Sequence, residues 1–221
     1  MNVLRRAGSW LRSARTWIAL GVLAPLGMVV TSGLMLADLR RDAWDSADQT
    51  SRNLLQVLER DIVRNIEMYD LSIRAAVDNL KVPGLAEADP RLRQLILFDR
   101  AATARDMGVM LILNEEGDVV ADIAAVPPRK GNYADREYFQ VHRASAGLGL
   151  HVGRPIVSRL DGERMLPFSR RIDRPDGSFG GVVLGTVKLS YFTHLFSEID
   201  LGPEGAINLY LSDGTRLMRY P

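Results

Sequence analysis

The spacing of apolar and polar positions changes along this chain, and each change marks a different kind of element. From Trp17 to Ala37 the residues form an unbroken uncharged run. A helix of about 20 residues at ~1.5 Å each spans a ~30 Å hydrocarbon core, so this run predicts a transmembrane helix at 17–37. From Asp38 to about Leu80 there is neither proline nor glycine, and apolar residues return every three or four positions. Leu55, Leu58, Ile62, Ile66, Tyr69, Ile73, Ala76 and Leu80 form one stripe, the mark of a helix with one face on a core. Charges such as Glu59, Arg60, Arg64 and Glu67 fill the remainder. The two runs predict a nearly continuous helix whose second part, 38–82, is stopped by Pro83-Gly84.

A shorter helix is expected from Pro90 to about Arg105, and then the period falls to two. Val109–Leu113 and Val119–Ile123 flank Asn114-Glu115-Glu116-Gly117-Asp118, a hairpin signal with a glycine in its turn. Pro127-Pro128 leads to a helix start at which Asp135 is the expected cap. Three more strands are expected at about Leu150–Arg159, Glu163–Ile172 and Phe179–Leu189, joined by Leu160-Asp161-Gly162 and Pro175-Asp176-Gly177-Ser178. A helix at Ser190–Ile199 ends before Gly202-Pro203. A last strand then opens at Ala206–Leu211, with Ser212-Asp213-Gly214 as its turn. Hairpin-linked strands favour an antiparallel sheet whose faces helices must cover, so the fold class is α+β. The last strand reads as lacking its partner, an exposed pairing edge. The chain is therefore expected to be the N-terminal piece of a longer protein, with one module at 83–200 and the start of a second at 201–221.

Charge sets the orientation. Arg5, Arg6, Arg12 and Arg15 precede the apolar run with no acidic residue among them. Residues 1–16 are thus expected in the cytoplasm and 38–221 on the far side of the membrane. A cleaved signal would share the basic head, but Met35 stands where a small residue is wanted, and the apolar stretch exceeds a signal core. The formal net charge of +1 argues against a nucleic-acid partner. With no cysteine, disulfides and thiolate chemistry are excluded. His142, His151 and His194 lack metal-ligand spacing, so neither a metal nor a cofactor is expected. No Gly-x-Ser-x-Gly, P-loop or paired catalytic carboxylates occur. The run Gly147 to Gly153 has one residue too many for a dinucleotide loop and opens no helix. No catalytic site is expected in this chain.

One stretch carries a resemblance. Asn132-Tyr133-Ala134-Asp135-Arg136-Glu137-Tyr138-Phe139 is similar to the Arg-x-aromatic-aromatic ligand motif of the double-Cache sensor domain, a tandem PAS-like fold of bacterial receptors. Val152-Gly153-Arg154-Pro155, the run Pro167 to Arg171 and the run Asp176 to Val183 resemble segments along its central sheet. The likeness covers 17–200 and the opening hairpin of a second module from about 205. It implies a PAS-like antiparallel sheet with flanking helices behind a long membrane-proximal helix. It also implies a small-molecule sensor in the bacterial inner membrane, its globular part in the periplasm. The output implied is cytoplasmic, most like a diguanylate cyclase, with a histidine kinase or chemoreceptor as the alternative.

Within that motif Arg136 is the candidate clamp, because a guanidinium fork matches a carboxylate or phosphate in bidentate fashion. Tyr133, Tyr138 and Phe139 would supply apolar walls and two hydroxyls. Pairing of Arg136 with Asp135 or Glu137 on the surface is the alternative. Amino-acid-binding members carry Trp-Tyr where this chain has Tyr138-Phe139, and an aspartate for the ligand's ammonium where alignment places Thr186. Lys188 shares the side-chain parity of Thr186. A cation there disfavours an amino group, so the expected ligand is a small anion, above all a carboxylate, with Arg154 or Lys188 as auxiliary charge. The lipid bilayer and a second copy, held through the long helix near Leu39, Trp44 and Ala47, are the other expected partners. A ligand-free structural module, or a secreted protein if the head is cleaved, are the competing readings.

Overall fold

The structure is a computed structural model that describes residues 14–99, 107–202 and 205–221. Arg5, Arg6 and Arg12, the far half of the expected Pro90–Arg105 helix, and Pro203 lie outside the described residues. The chain divides into two compact units, Met1–Asp61 and Ile62–Pro221.

The first unit is helical. Helix α1 runs Ala14–Asn79 without a break at the expected 37/38 boundary, and it contains Pro25. Residues 17–57 are exposed throughout, including Trp17, Leu23, Val29, Leu34 and Leu36. This helix is long and apolar enough to cross a membrane by length and composition. Uncovered apolar side chains cost ~25 cal/mol per Å² in water, and a bilayer removes that cost. Thr31 fits such a setting, since its hydroxyl bonds back to Gly27 O (2.9 Å) and Met28 O (3.0 Å). Leu55 is 59% exposed, so the core-facing stripe begins later than its period implies. A 3.6-residue period marks a face without saying what covers it.

The second unit is built on an antiparallel sheet. Its strands are β1 (Met107–Leu113), β2 (Val119–Asp122), β3 (His151–Val152), β4 (Ile156–Val157), β5 (Arg164–Asp173) and β6 (Phe179–Lys188). The order is β2-β1-β6-β5-β3, with β4 also on β5. The first of the three later strands is thus two short pieces rather than one at 150–159. Pro155 has no N–H to give a ladder, and Gly153 N bonds to Pro167 O (2.9 Å) as the chain turns away. Helix α2 (Pro90–Phe98) is capped by Asp89, which accepts from Arg91 N and Leu92 N. Helices α3 (Glu137–Ala144) and α4 (Leu189–Ser197) complete the layer architecture. A separate hairpin, β7 (Ile207–Tyr210) with β8 (Arg216–Tyr220), closes over the expected turn. The last strand is therefore not alone. Its partner was hidden because Arg216 and Arg219 interrupt the apolar pattern, although Leu217 is buried.

Strand alternation gives the sheet two distinct faces. Toward α1 point Phe168, whose ring lies 5.7 Å from that of Tyr69, and Arg170, which donates Nε and Nη2 to Asp70 at 2.5 and 2.9 Å. Ile73, fully buried, sits over Gly185 on the same side, where an added Cβ would come within 3.0 Å of its Cδ1. Toward the opposite side point Val109, Leu111, Met165, Leu184 and Thr186. Arg170 and Arg171 split accordingly: Arg171 pairs with Asp173 and His142 O and lies over the Phe179 ring.

Candidate functional site

The site forms on the sheet face away from α1, under the loop that precedes α3. This loop is fastened to the β1–β2 hairpin. Tyr133 N donates to Gly117 O (2.8 Å), and Asn132 Nδ2 donates to Glu116 O (2.9 Å) and Asp118 Oδ1 (2.8 Å). Gly117 has φ +86°, and a Cβ there would lie 2.5 Å from Ala134 N, so only glycine permits this approach. Asn132 Oδ1 then takes Ala134 N at 3.0 Å. The cap position of α3 is Arg136, with no side-chain cap bond. Asp135, the expected cap, turns its carboxylate to Arg159 instead, because a fork of two charged hydrogen bonds outweighs one bond to a backbone N–H.

Under the loop lies a half-open cavity of about 20 Å³, room for about one water. Tyr133, Arg136, Tyr138 and Thr186 line it, as does the segment from Ile156 to Leu160. Val109, Leu111, Met165 and Leu184 supply its floor. Arg136 Nη2 reaches Val157 O at 3.3 Å, a long bond, while its Nε is buried without a hydrogen-bond partner. Tyr138 is buried, and that burial pushes its phenol well above the ordinary range, against the pull of the Arg136 charge. Thr186 Oγ1 is committed to β1, accepting from Val109 N (2.8 Å) and donating to Val109 O (3.3 Å). No acidic residue is among those that line the cavity.

Three expected site residues fall outside this lining. Phe139 is fully buried but packs edge-on against Phe179, ring centres 5.3 Å apart, in the core behind the site. Arg154 is exposed and pairs with Asp213 at 3.5 Å. Lys188 precedes α4 as its cap residue, beyond the end of the cavity. In their place stands Arg159, which sequence reasoning missed. Its guanidinium lies 5.6 Å from the centre of the Tyr133 ring. It sits in a turn, where no period reports which way a side chain faces.

Beside the cavity, α3 and β3 bring two histidines together. The His142 and His151 rings stand edge to face at 6.0 Å, and His142 Nε2 meets Ser169 Oγ at 3.0 Å. His142 is fully buried, and desolvation lowers its pKa to about 4. His151 Nε2 lies 3.5 Å from Glu137 Oε1. Among the described residues no group of three or more His, Asp or Glu is placed to hold a metal ion.

No family model matches the sequence, and no curated protein matches it. Solved structures do. The fold is that of extracellular ligand-sensing domains. The extracellular domain described as that of histidine kinase rpHK1S-Z16 aligns with TM-score 0.67 and 29% identity, over 77% of this chain and 69% of that one. The ligand-binding domain of Campylobacter jejuni chemoreceptor Tlp3, solved with L-valine, aligns with TM-score 0.59 and 12% identity over 80% and 72%. That of Pseudomonas fluorescens chemoreceptor CtaA, solved with L-isoleucine, aligns with TM-score 0.55 and 18% identity over 73% and 63%. The chain thus carries an extracellular sensor-domain fold, and among the described residues one helix is long and apolar enough to span a membrane.

Proposed function

We propose that this chain is the sensing part of a membrane-anchored bacterial signalling protein, and that a small anionic metabolite, above all a carboxylate, binds in the cavity beneath Arg136. The observation that carries this reading is the buried, unpaired Nε of Arg136 beside apolar walls. An unmet buried donor costs ~1–3 kcal/mol, and a ligand oxygen supplies what it lacks. Tyr133 and Tyr138 flank the anion, and Phe139 backs them. Tlp3 and CtaA were solved with amino acids, but here no acidic side chain lines the cavity and the Thr186 hydroxyl is already committed. A ligand ammonium would be buried without a counter-charge, at a cost of several kcal/mol. Arg154 and Lys188 take no part in this site.

Ligand entry requires the segment from Ile156 to Leu160 to move outward, since the resting space holds about one water. Because the same sheet bears the cavity on one face and α1 on the other, a ligand that prefers one packing shifts the population of both. In this reading residues 1–16 are cytoplasmic, 17–37 cross the inner membrane, 38–82 relay the signal, 83–200 form the periplasmic sensing module, and 201–221 begin a second. A homodimer through the exposed membrane-proximal part of the helix, near Leu39, Trp44 and Ala47, and a diguanylate cyclase or histidine kinase output, belong to the same proposal.

The test is a thermal-shift screen of short carboxylates and amino acids on the full chain in nanodiscs. A carboxylate at 100 times its Kd adds ~2.7 kcal/mol, and Arg136→Ala should abolish that gain while the far-ultraviolet spectrum stays unchanged. If no carboxylate raises Tm, the ligand-free structural module becomes the better reading. A standard amino acid that stabilises the wild type would overturn the charge argument.

A further inference from the structure

Two arginines line the cavity, and one of them is already neutralised from within the chain. Arg159 donates Nη1 to Asp135 Oδ1 at 3.0 Å and Nη2 to Asp135 Oδ2 at 2.6 Å, and Nη1 also reaches Asn132 O at 2.9 Å. Both arms of its fork are occupied. Arg136 makes one long bond at 3.3 Å and leaves its Nε unmet. Asp135 is not itself part of the lining; it reaches Arg159 from the loop outside. The Arg159 hydrogen bonds hold its carboxyl below the ordinary range, so this internal anion is ionised.

The charge count at the cavity follows. Arg136 and Arg159 are positive, Asp135 is negative, and no other charged side chain is in the lining. One positive charge is left over. Around it stand Val109, Leu111, Ile156, Leu160, Met165 and Leu184. We infer that Asp135 is a specificity-determining residue of this cavity: by occupying Arg159 it leaves Arg136 as the single free cation among the described residues that line it, so that the site takes a monoanion with an apolar tail and discriminates against a dianion. The inference rests on the proposed anion site. A second ligand carboxylate has two places to go. It can lie among apolar side chains without a counter-charge, which is costly. Otherwise it displaces Asp135 from Arg159, which exchanges one carboxylate for another and gains nothing, the more so because that pair is solvent-screened.

The experiment is isothermal titration of the full chain in nanodiscs with straight-chain monocarboxylates of two to six carbons and the dicarboxylates of matching length. The wild type should prefer the monocarboxylate of the best-fitting length by ~10-fold or more, the scale of one charge-assisted contact. Asp135→Asn frees Arg159, so the ratio should move toward the dicarboxylate by at least ~10-fold. Asp135→Glu should keep the wild-type ratio. Adding Arg159→Gln to Asp135→Asn should return the preference to the monocarboxylate, a control that separates charge from any loosening of the loop. Equal affinity of the wild type for both classes, an unmoved ratio in Asp135→Asn, or a double variant that still favours the dicarboxylate each overturns the inference while leaving the Arg136 site standing. Absence of any carboxylate binding, or binding that survives Arg136→Ala, overturns both.

Discussion

Acidification should weaken the sensing unit through one residue, His142. Its ring is fully buried, its one described hydrogen bond is to Ser169 Oγ, and its Nδ1 has no partner. The charges that act on it, His151, Arg171 and Arg170, all oppose a proton. Desolvation is the largest cause; hydrogen bonding at Ser169 works against it, and the net effect lowers the folded pKa to about 4 from 6.5. The folded imidazole therefore binds its proton less tightly than the unfolded one. Between those two values the unfolded chain holds more protons, so stability falls as the pH drops through that window and levels off below it. From pH 7 to pH 5 the loss is about 2 kcal/mol. For a body of roughly 150–250 residues, Tm should fall by about 4–8 °C. The lowered carboxyls Asp70 and Asp122 add their own loss only at lower pH, below the usual 3.8. The assay is circular-dichroism melting of the full chain in nanodiscs at pH 7, 6 and 5, for the wild type and His142→Gln. The variant should start less stable but lose much less Tm on acidification. If both lines fall with the same slope, the buried imidazole is not the cause.

Two further outcomes test the frame around the site. Ile73→Ala should cost about 2–5 kcal/mol, as for other fully buried aliphatic residues, whereas Arg64→Ala on the exposed side of the helix should stay within about 0.5 kcal/mol; equal urea midpoints would refute the helix phase. A reporter active only outside the cytoplasm should work when fused after Ile199, because the arginines Arg5, Arg6, Arg12 and Arg15 all precede the apolar run, and activity of a cytoplasmic reporter at that point would reverse the topology.

The elements were legible wherever a period ran long enough. The stripe through Tyr69, Ile73 and Ala76, and the alternation in β5 and β6, placed the helix and the antiparallel sheet directly. Hydrophobic period failed at the interruptions, at Gly153-Arg154-Pro155 and at Arg216 and Arg219, where pairing across the sheet decides what local sequence does not. The site shows the same division. Tyr133, Arg136 and Tyr138 were indicated by a motif and Thr186 by alignment with a family strand, and all four line one cavity. Phe139 is adjacent to Tyr138 in α3, but one residue is ~100° of helical rotation, which turns it into the core. Lys188 keeps the parity of Thr186 yet lies where the strand ends in α4. Arg159 gave no signal, since its partner Asp135 is 24 positions away and belongs to another loop.

The Ile73 seat on Gly185 has a mechanical consequence. On that face of β6 the glycine stands between Val183 and Val187, both fully or almost fully buried, so the isoleucine is a peg between two shoulders. For the helix to glide along the strand, the peg would have to climb a valine in a close-packed layer. Swivelling about the peg displaces the contacts nearest it least, and the Asp70–Arg170 fork, less than one turn away, limits how far it turns. This stretch of the helix is thus hinged on a fulcrum, and a distortion of the sheet reaches it as a change of angle rather than as a stroke.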